Sequence, residues 1–403
     1  MCKKLLIALH KRGVPSELLN NLSPAWCGVF YKRGFMVNVV EITQQDLNKF
    51  INFPFDLYKK NPYWVGDLKE ETYKLLRENN PFWEHATRKL FVAYKDGKLV
   101  GRICALVNRK HNEYHHENIG FFGFFDSIND VEISSALFKA GEDWLRTQGV
   151  SAVRGPANPS SNHTYGLLVD GFNSMPAIMM PYNFPYYADL IEKAGFTKAK
   201  DLLAFHRTED DKFSERFLKV CERCERKEEV TLRRLDLKNL AKEAEIIREI
   251  YNKAWAENWG FVPLDQREMA DIVTELKPIV REEGTCILEK NGVPAGFYIC
   301  IPNMNHVLKI LRGSLYNPWR FVKALLAWKH IKDARLIMLG VLPEFRKHGI
   351  DLILIKHIIT HGVAVWYEAE LSWVLEDNTG MLRGIEECGC HYSKRYRVYQ
   401  KQL

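Results

Sequence analysis

Two stretches of the chain alternate apolar and polar positions on either side of a tight turn: AYKDGKLVGRICALV (93–107) and ILEKNGVPAGFYICI (287–301). A period of two broken by Asp-Gly or Asn-Gly predicts a β-hairpin at each place. VNVVEITQQDLNKFINF (37–53) starts as a strand and passes into a helical pattern, and VTLRRLDLKNLAKEAEIIREIYNKAW (230–255) repeats that order. Further on, RLIML (335–339) reads as a strand, LILIKHIITHG (352–362) as a buried helix and VAVWYEAELSWVL (363–375) as another strand. The expected class is α/β with mixed, mostly antiparallel sheets.

The pattern occurs twice. Lys95, Gly97 and Gly101 fall on Lys290, Gly292 and Gly296 at an offset of 195, and Ile191, Glu192, Gly195 and Lys200 fall on Ile385, Glu386, Gly389 and Lys394 at an offset of 194. Two landmarks at nearly one spacing imply two copies of one fold. The expected division is 36–209 for the first copy, 210–229 for a charged linker helix and 230–403 for the second.

Composition narrows the picture. Hydrophobic residues make up 46% of the 403, and aromatics 12%, as in ordinary packed domains. Of the net charge of +7, residues 1–35 carry +5, so no basic stripe for nucleic acid is evident in the body. That opening segment, with its short LLIAL run followed by HKRG, lacks the form of a secretory signal. It is expected to be a disordered extension or the result of a start assigned upstream of Met36. Nine scattered cysteines complete no zinc spacing, and no metal is expected. Reduced thiols and the lack of a long apolar run set the expected location in the cytoplasm.

Between the predicted strand 335–339 and the helix lies GVLPEFRKHGID (340–351). A loop leading into a helix start points unpaired N–H groups and the positive dipole end at one place, which suits an anion. Arg346, Lys347 and His348 add donors, and Gly349 allows a phosphate to approach. A basic surface loop that merely caps a buried helix fits the same residues. The loop resembles the GCN5-related N-acetyltransferases, whose strand is followed by V-x-P-x-x-R/Q-x-x-G-I/L-G/A; Val341, Pro343, Arg346, Gly349 and Ile350 match. A second motif of that family, an Asn with a Gly eleven residues on, resembles Asn378 and Gly389. The resemblance is specific for 230–403. In the first copy GFFGFF, GPxNPSxN, GLLVDGF and PYNFPYY look like a group of large bacterial tandem proteins of this fold, associated with bacterial ceramide synthases.

The resemblance implies two tandem acyl-CoA N-acyltransferase folds, with acyl-CoA as co-substrate and a primary amine as acceptor. It assigns acyl-CoA to Leu339, Gly340, Val341, Arg346, Lys347, His348, Gly349, Ile350, Asp351 and Asn378. Two departures stand out: Asp351 replaces the last Gly/Ala of the loop, and Ile385 stands where a tyrosine often protonates the leaving thiolate. Tyr392 and Tyr396 are the substitutes to consider. For the base the candidates are Glu368 and Glu370 on the following strand, Asn162 and His163 in the first copy's Gly/Pro/Asn-rich stretch, and His306. Trp259, in ENWGFVP, is either a pocket wall or packed core. The first copy has Asp126, Asp130 and Glu132 where a pyrophosphate needs donors, so it is expected to lack coenzyme.

Two other classes fit parts of the sequence, a non-catalytic acyl- or lipid-binding tandem module and an aminoacyl-tRNA-dependent peptidyl transferase. The long-chain lipid amine enters as acceptor through residues 318–332, where Trp319, Val322, Leu325, Leu326, Trp328 and Ile331 are flanked by Arg320, Lys323, Lys329 and Lys332. That pattern fits a helix in peripheral contact with the inner face of a membrane, and equally an amphipathic helix packed on a core.

Overall fold

The computed structural model describes residues 37–362 and 365–403, with backbone alone at 347 and 348. The expectation for 1–35 lies outside the described residues. The first repeat runs β1 (Asn38–Ile42), α1 (Leu47–Leu57), α2 (Lys69–Leu75), β2 (Ala86–Lys95), β3 (Lys98–Asn108), α3 (Arg109–His115), β4 (Ile119–Ser127), α4 (Val131–Thr147) and β5 (Ala152–Gly155). It continues with β6 (Ala157–Asn158), β7 (Thr164–Tyr165), β8 (Leu167–Asp170), α5 (Tyr187–Lys193) and β9 (Thr197–Thr208). After α6 (Glu215–Lys227) come β10 (Val230–Arg233), α7 (Leu240–Ala254), α8 (Gln266–Leu276), β11 (Thr285–Lys290), β12 (Val293–Pro302), α9 (Asn305–Leu311) and α10 (Pro318–Trp328). The chain ends with β13 (Asp333–Val341), α11 (Ile350–His357), β14 (Glu368–Leu375), α12 (Thr379–Glu387) and β15 (His391–Gln402).

Both predicted hairpins form. At their turns Asp96–Gly97 and Asn291–Gly292 all have positive φ, between 53° and 76°, the conformation a two-residue hairpin turn demands. Each hairpin also carries a register shift at the same repeat position, between Ala93 and Tyr94 and between Leu288 and Glu289. The predicted helix over 352–362 begins earlier and stops at His357, passing into a π-type turn over Ile358–Gly362; the strand expected from 363 begins at Glu368.

The sheet is continuous across the repeats, in the order β1-β2-β3-β4-β5-β15-β9-β14-β13-β12-β11-β10. Two neighbouring pairs, β4 with β5 and β13 with β14, are parallel. The last strand of each repeat lies beside the other repeat: β15 pairs with β5, β9 pairs with β14, and the two exchanged strands pair with each other. Alternation along these strands carries side chains into the opposite core. Tyr399 is buried among Phe122, Leu190 and Phe196, while Phe205 packs with Ile385 and Cys388. Asp201 accepts from Arg397 at 2.8 and 3.0 Å, and Lys198 and Lys200 reach Glu376 and Asp377 at 2.6 and 2.7 Å, closing the seam.

Candidate active site

β13 and β14 pair only from Asp333 to Leu336 and from Glu368 to Leu371. Beyond that β13 stays with β12, whereas β14 follows β9 through a register shift between Leu371 and Val374. The two strands therefore splay, leaving a wedge of about 180 Å³. Ile337, Met338 and Leu339 form one side and Ser372 to Leu375 the other; Ile355, Ile358 and Ile385 lie beneath, and Asn378 is also at the wall. The first repeat closes the mouth with Ser161, Asn162, His163 and Met179.

Side-chain bonds fix that loop to the second repeat. Ser161 Oγ donates to Gly260 O at 2.6 Å, Asn162 Nδ2 donates to Val262 O at 3.2 Å, and Tyr251 Oη donates to Asn162 Oδ1 at 2.9 Å. Asn162 thus has both ends of its amide engaged and positions the loop. His163 Nδ1 lies 2.9 Å from Ser160 Oγ, and its ring meets Phe82 edge to face at 5.6 Å. Nε2 has no protein partner among the described residues. Burial lowers the imidazole pKa to about 4, so the ring is neutral at pH 7.

The equivalent wedge of the first repeat is filled by the chain itself. β4 and β5 pair only over Ile119–Phe121 and Ala152–Arg154, and the following backbone at Ala157 sits against Gly123 so closely that a Cβ there would strike the Ala157 carbonyl. Asn158 Oδ1 accepts from Phe124 N at 2.6 Å inside the gap. The start of α4 is capped by Asp130, which accepts from Glu132 N, and Asp126 is buried under Arg102, Tyr58 and Tyr187.

No family model matches the chain. Protein YghO of Escherichia coli (strain K12) is 37% identical over 370 residues, covering 90% of this chain and 94% of that protein. Bacterial ceramide synthase of Caulobacter vibrioides (strain NA1000 / CB15N) is 33% identical over 373 residues, covering 90% and 96%. A tandem GNAT protein from the clavulanic acid biosynthesis pathway shares the fold, with a TM-score of 0.52 at 12% identity over 91% of this chain and 98% of that one. The chain belongs to the family of Protein YghO and bacterial ceramide synthase, and its fold is that of tandem GCN5-related N-acetyltransferases. A glucosamine N-acetyltransferase region of a fungal GH3 β-N-acetylglucosaminidase matches in fold as well, with a TM-score of 0.54 at 14% identity, over 92% of this chain and 38% of that one.

In this chain the loop after β13 is a 3-10 turn, Pro343–His348, closed by Gly349 at φ 71°. Two of its expected roles change. Arg346 turns inward, donating to Val341 O at 3.2 Å and to Ala254 O at the end of α7, so it braces the loop. The bare side of Gly349 faces Cys224 Sγ on α6, which leaves no room for a Cβ; the glycine serves the left-handed turn and the close approach of the linker helix. Asp351 stands at the second position of α11, where burial raises its pKa while the neighbouring backbone N–H groups of Leu352 and of Asp351 itself pull it down. It draws on amides that an anion at the start of α11 would use. Ile350 is buried, Asn378 caps α12 by accepting from Met381 N at 3.2 Å, and Leu339 O accepts from Trp255 Nε1 at 3.1 Å. Gly340 packs beneath Phe297.

The remaining candidates separate by place. Glu370 is buried behind the wedge, its pKa raised by desolvation. It accepts from Ser372 Oγ at 2.6 Å, and that hydroxyl in turn accepts from Arg335 Nε at 2.9 Å. Tyr392 is not brought to the wedge: on β15, separated from β14 by β9, it donates to Asp170 at 2.6 Å and is exposed. Tyr396 is buried, with no partner for its hydroxyl among the described residues. Glu368 and His306 lie outside, paired with His206 and Asp333. Trp259 packs between Arg154 and Lys200, at 4.9 and 5.7 Å, rather than lining the wedge. Sequence reasoning missed Arg335, which donates to Ser372 O at 3.1 Å and across the repeats to Ile178 O at 2.7 Å. An arginine inside the apolar run RLIML was its signal.

Among the described residues no group of His, Cys, Asp and Glu side chains forms a metal site.

Proposed function

We propose that this chain transfers an acyl group from acyl-CoA to the primary amine of a long-chain, lipid-like acceptor. The observation that carries the reading is an apolar wedge at the β13–β14 splay, closed by the neutral imidazole of His163. The wedge suits an acyl chain and thioester, and the free edge of β13 at Leu339 to Val341 offers backbone groups to the carbonyl that gains charge. Amides of loop 343–349 would hold the phosphate end, with Asp351 in competition. The division of labour is unequal: residues 230–403 bind acyl-CoA, and residues 36–209 lend the loop with His163.

The amine nitrogen attacks the thioester carbonyl, the carbon–sulfur bond breaks, and His163 Nε2 takes the proton the amine sheds. Desolvation makes the resulting imidazolium a willing acid, able to return the proton to the departing thiolate. This assigns to one residue the task a tyrosine at 385 would perform. The name of the Caulobacter relative, bacterial ceramide synthase, supports a long-chain amine as acceptor.

A second reading, a non-catalytic acyl-binding module, draws on Asp351 and Ile385. Release of CoA thiol, followed across acyl-CoA chain lengths with a long-chain and a short soluble amine, separates the two. Turnover that rises with chain length on both substrates is expected. Binding of acyl-CoA without thiol release would establish the second reading, and a preference for acetyl-CoA with the soluble amine would remove the lipid acceptor.

A further inference from the structure

Seven of the fifteen large apolar side chains exposed among the described residues lie within residues 315–326. Along α10 only Ala324 is buried, while Trp319 is 79% exposed and Phe321, Val322, Leu325 and Leu326 all face solvent. At 100° per residue, Phe321, Leu325, Val322, Leu326 and Trp319 follow one another around an arc of about 160°. Ala324, together with Trp328 at the helix end and Ile331 just beyond it, joins an apolar cluster that includes Leu276, Ile337 and Met338. An ordinary surface helix turns its apolar arc to the core. This one packs on a narrow side and turns the broad arc outward. Tyr316, 83% exposed, extends the patch at one end; at the other, exposed Tyr367 lies under Lys332 Nζ at 5.0 Å.

Charge identifies the occupant. From Asn305 to Lys332 the chain carries Lys309, Arg312, Arg320, Lys323, Lys329 and Lys332 and not one Asp or Glu, although 50 acidic residues occur in the 403. A second copy of this chain meeting the same face would oppose like charges around the apolar centre. An anionic lipid surface complements both features, with an apolar layer for the arc and phosphates for the rim. Among the described residues no helix is long and apolar enough to cross a membrane, so the contact is one of lying on the surface.

We infer that residues 315–332 dock this protein on the surface of an anionic bilayer, the arc of α10 entering the headgroup region and the lysines and arginines meeting lipid phosphates. Leu276, Ile337 and Met338 belong both to the cluster beneath α10 and to the wall of the wedge. Docking therefore brings the apolar wedge close to the source of a lipid amine. The surface goes beyond the acyl-transfer reading and can be tested without it.

The test sediments the full chain with vesicles of phosphatidylglycerol and phosphatidylethanolamine, and separately with vesicles of phosphatidylcholine alone. Wild type is expected to pellet with the anionic vesicles and to dissociate as salt is raised. The double variant Trp319→Ser/Leu326→Ser should bind at least tenfold more weakly. Lys323→Glu/Lys329→Glu should lose at least roughly 25-fold, from about fivefold for each basic residue removed from an anionic surface plus the repulsion of the carboxylates put in their place. All four side chains are largely exposed, so melting temperatures should stay close to wild type. Thiol release with a short soluble amine reports separately on the chemistry. The inference is overturned if wild type stays in the supernatant at low salt, if either double variant binds as well as wild type, or if sedimentation velocity shows a dimer that Trp319→Ser dissolves.

Discussion

Replacing His163 by alanine should remove the proton acceptor while leaving the mouth of the wedge in place. The loop keeps its bonds from Ser161 to Gly260, from Asn162 to Val262 and from Tyr251 to Asn162, and Ser160 Oγ still accepts from Asn162 N at 3.2 Å. The structural losses are the edge-to-face contact with Phe82 and the bond between Nδ1 and Ser160 Oγ, each worth about 1 kcal/mol. The chemical loss is that of a general acid–base group, 10²- to 10⁴-fold in kcat, or roughly 3–5 kcal/mol in the barrier. The assay is thiol release at saturating long-chain amine, with acyl-CoA affinity measured by calorimetry as a control expected not to move. pH supplies a second signature. Because the native pKa is lowered to about 4 from an ordinary 6.5, the neutral ring persists well below pH 6.5, and kcat/KM should show no histidine inflection there. The sign for folding follows: between about pH 6.5 and 4 the unfolded chain binds the proton that the native chain refuses. His163 leaves stability undiminished above pH 6.5 and erodes it as pH falls toward 4, a slope that His163→Ala should flatten. Activity of the variant within threefold of wild type would refute the assignment.

Calorimetric titration with CoA should give one site per chain, because Ala157 and Asn158 fill the wedge of the first repeat; two sites would contradict that. Asp351→Gly frees the amides at the start of α11 and should tighten CoA binding several-fold, and unchanged affinity would show that the loop does not hold the phosphates. Arg335→Met leaves Ile178 O, Ser372 and buried Glu370 without their cation, and should lower the unfolding free energy by about 3 kcal/mol or more in denaturant titration. A loss below 1 kcal/mol would show the network to be dispensable.

Local signals in the chain were legible. Alternation and turn residues located both hairpins, and the repeat offset of 195 reappears as matched bulges and matched positive-φ turns. The strand, loop and helix around Val341 to Ile350 stand where the motif put them. Non-local outcomes were not legible. The seven-residue spacing of Asn378 and Ile385 says nothing of His163, which reaches the wedge through a loop more than 170 residues from Leu339. The outward turn of Tyr392 and the inward turn of Arg346 depend on neighbours, Asp170 and Ala254, that no period encodes. The apolar positions of α10 suit a core or an interface, and only the packing of Ala324 tells which side is covered. Which partner β9 and β15 choose is likewise unwritten, since either repeat offers the same open edge to the same alternating strand.

That exchange sets a schedule for synthesis. Gly155 ends β5, but the strand that covers its edge, residues 391–402, begins 236 residues further along the chain and is made that much later. At roughly 5–20 residues per second, β5 waits about 12–50 s with an open edge and with the slot for Tyr399 empty. Any product that stops short of β15 presents two bare strand edges at once, β5 and one side of β9, and edges of that kind recruit other chains. Closing the seam is thereby tied to residues 391–402, whose one strand covers β5 on one side and β9 on the other in a single event.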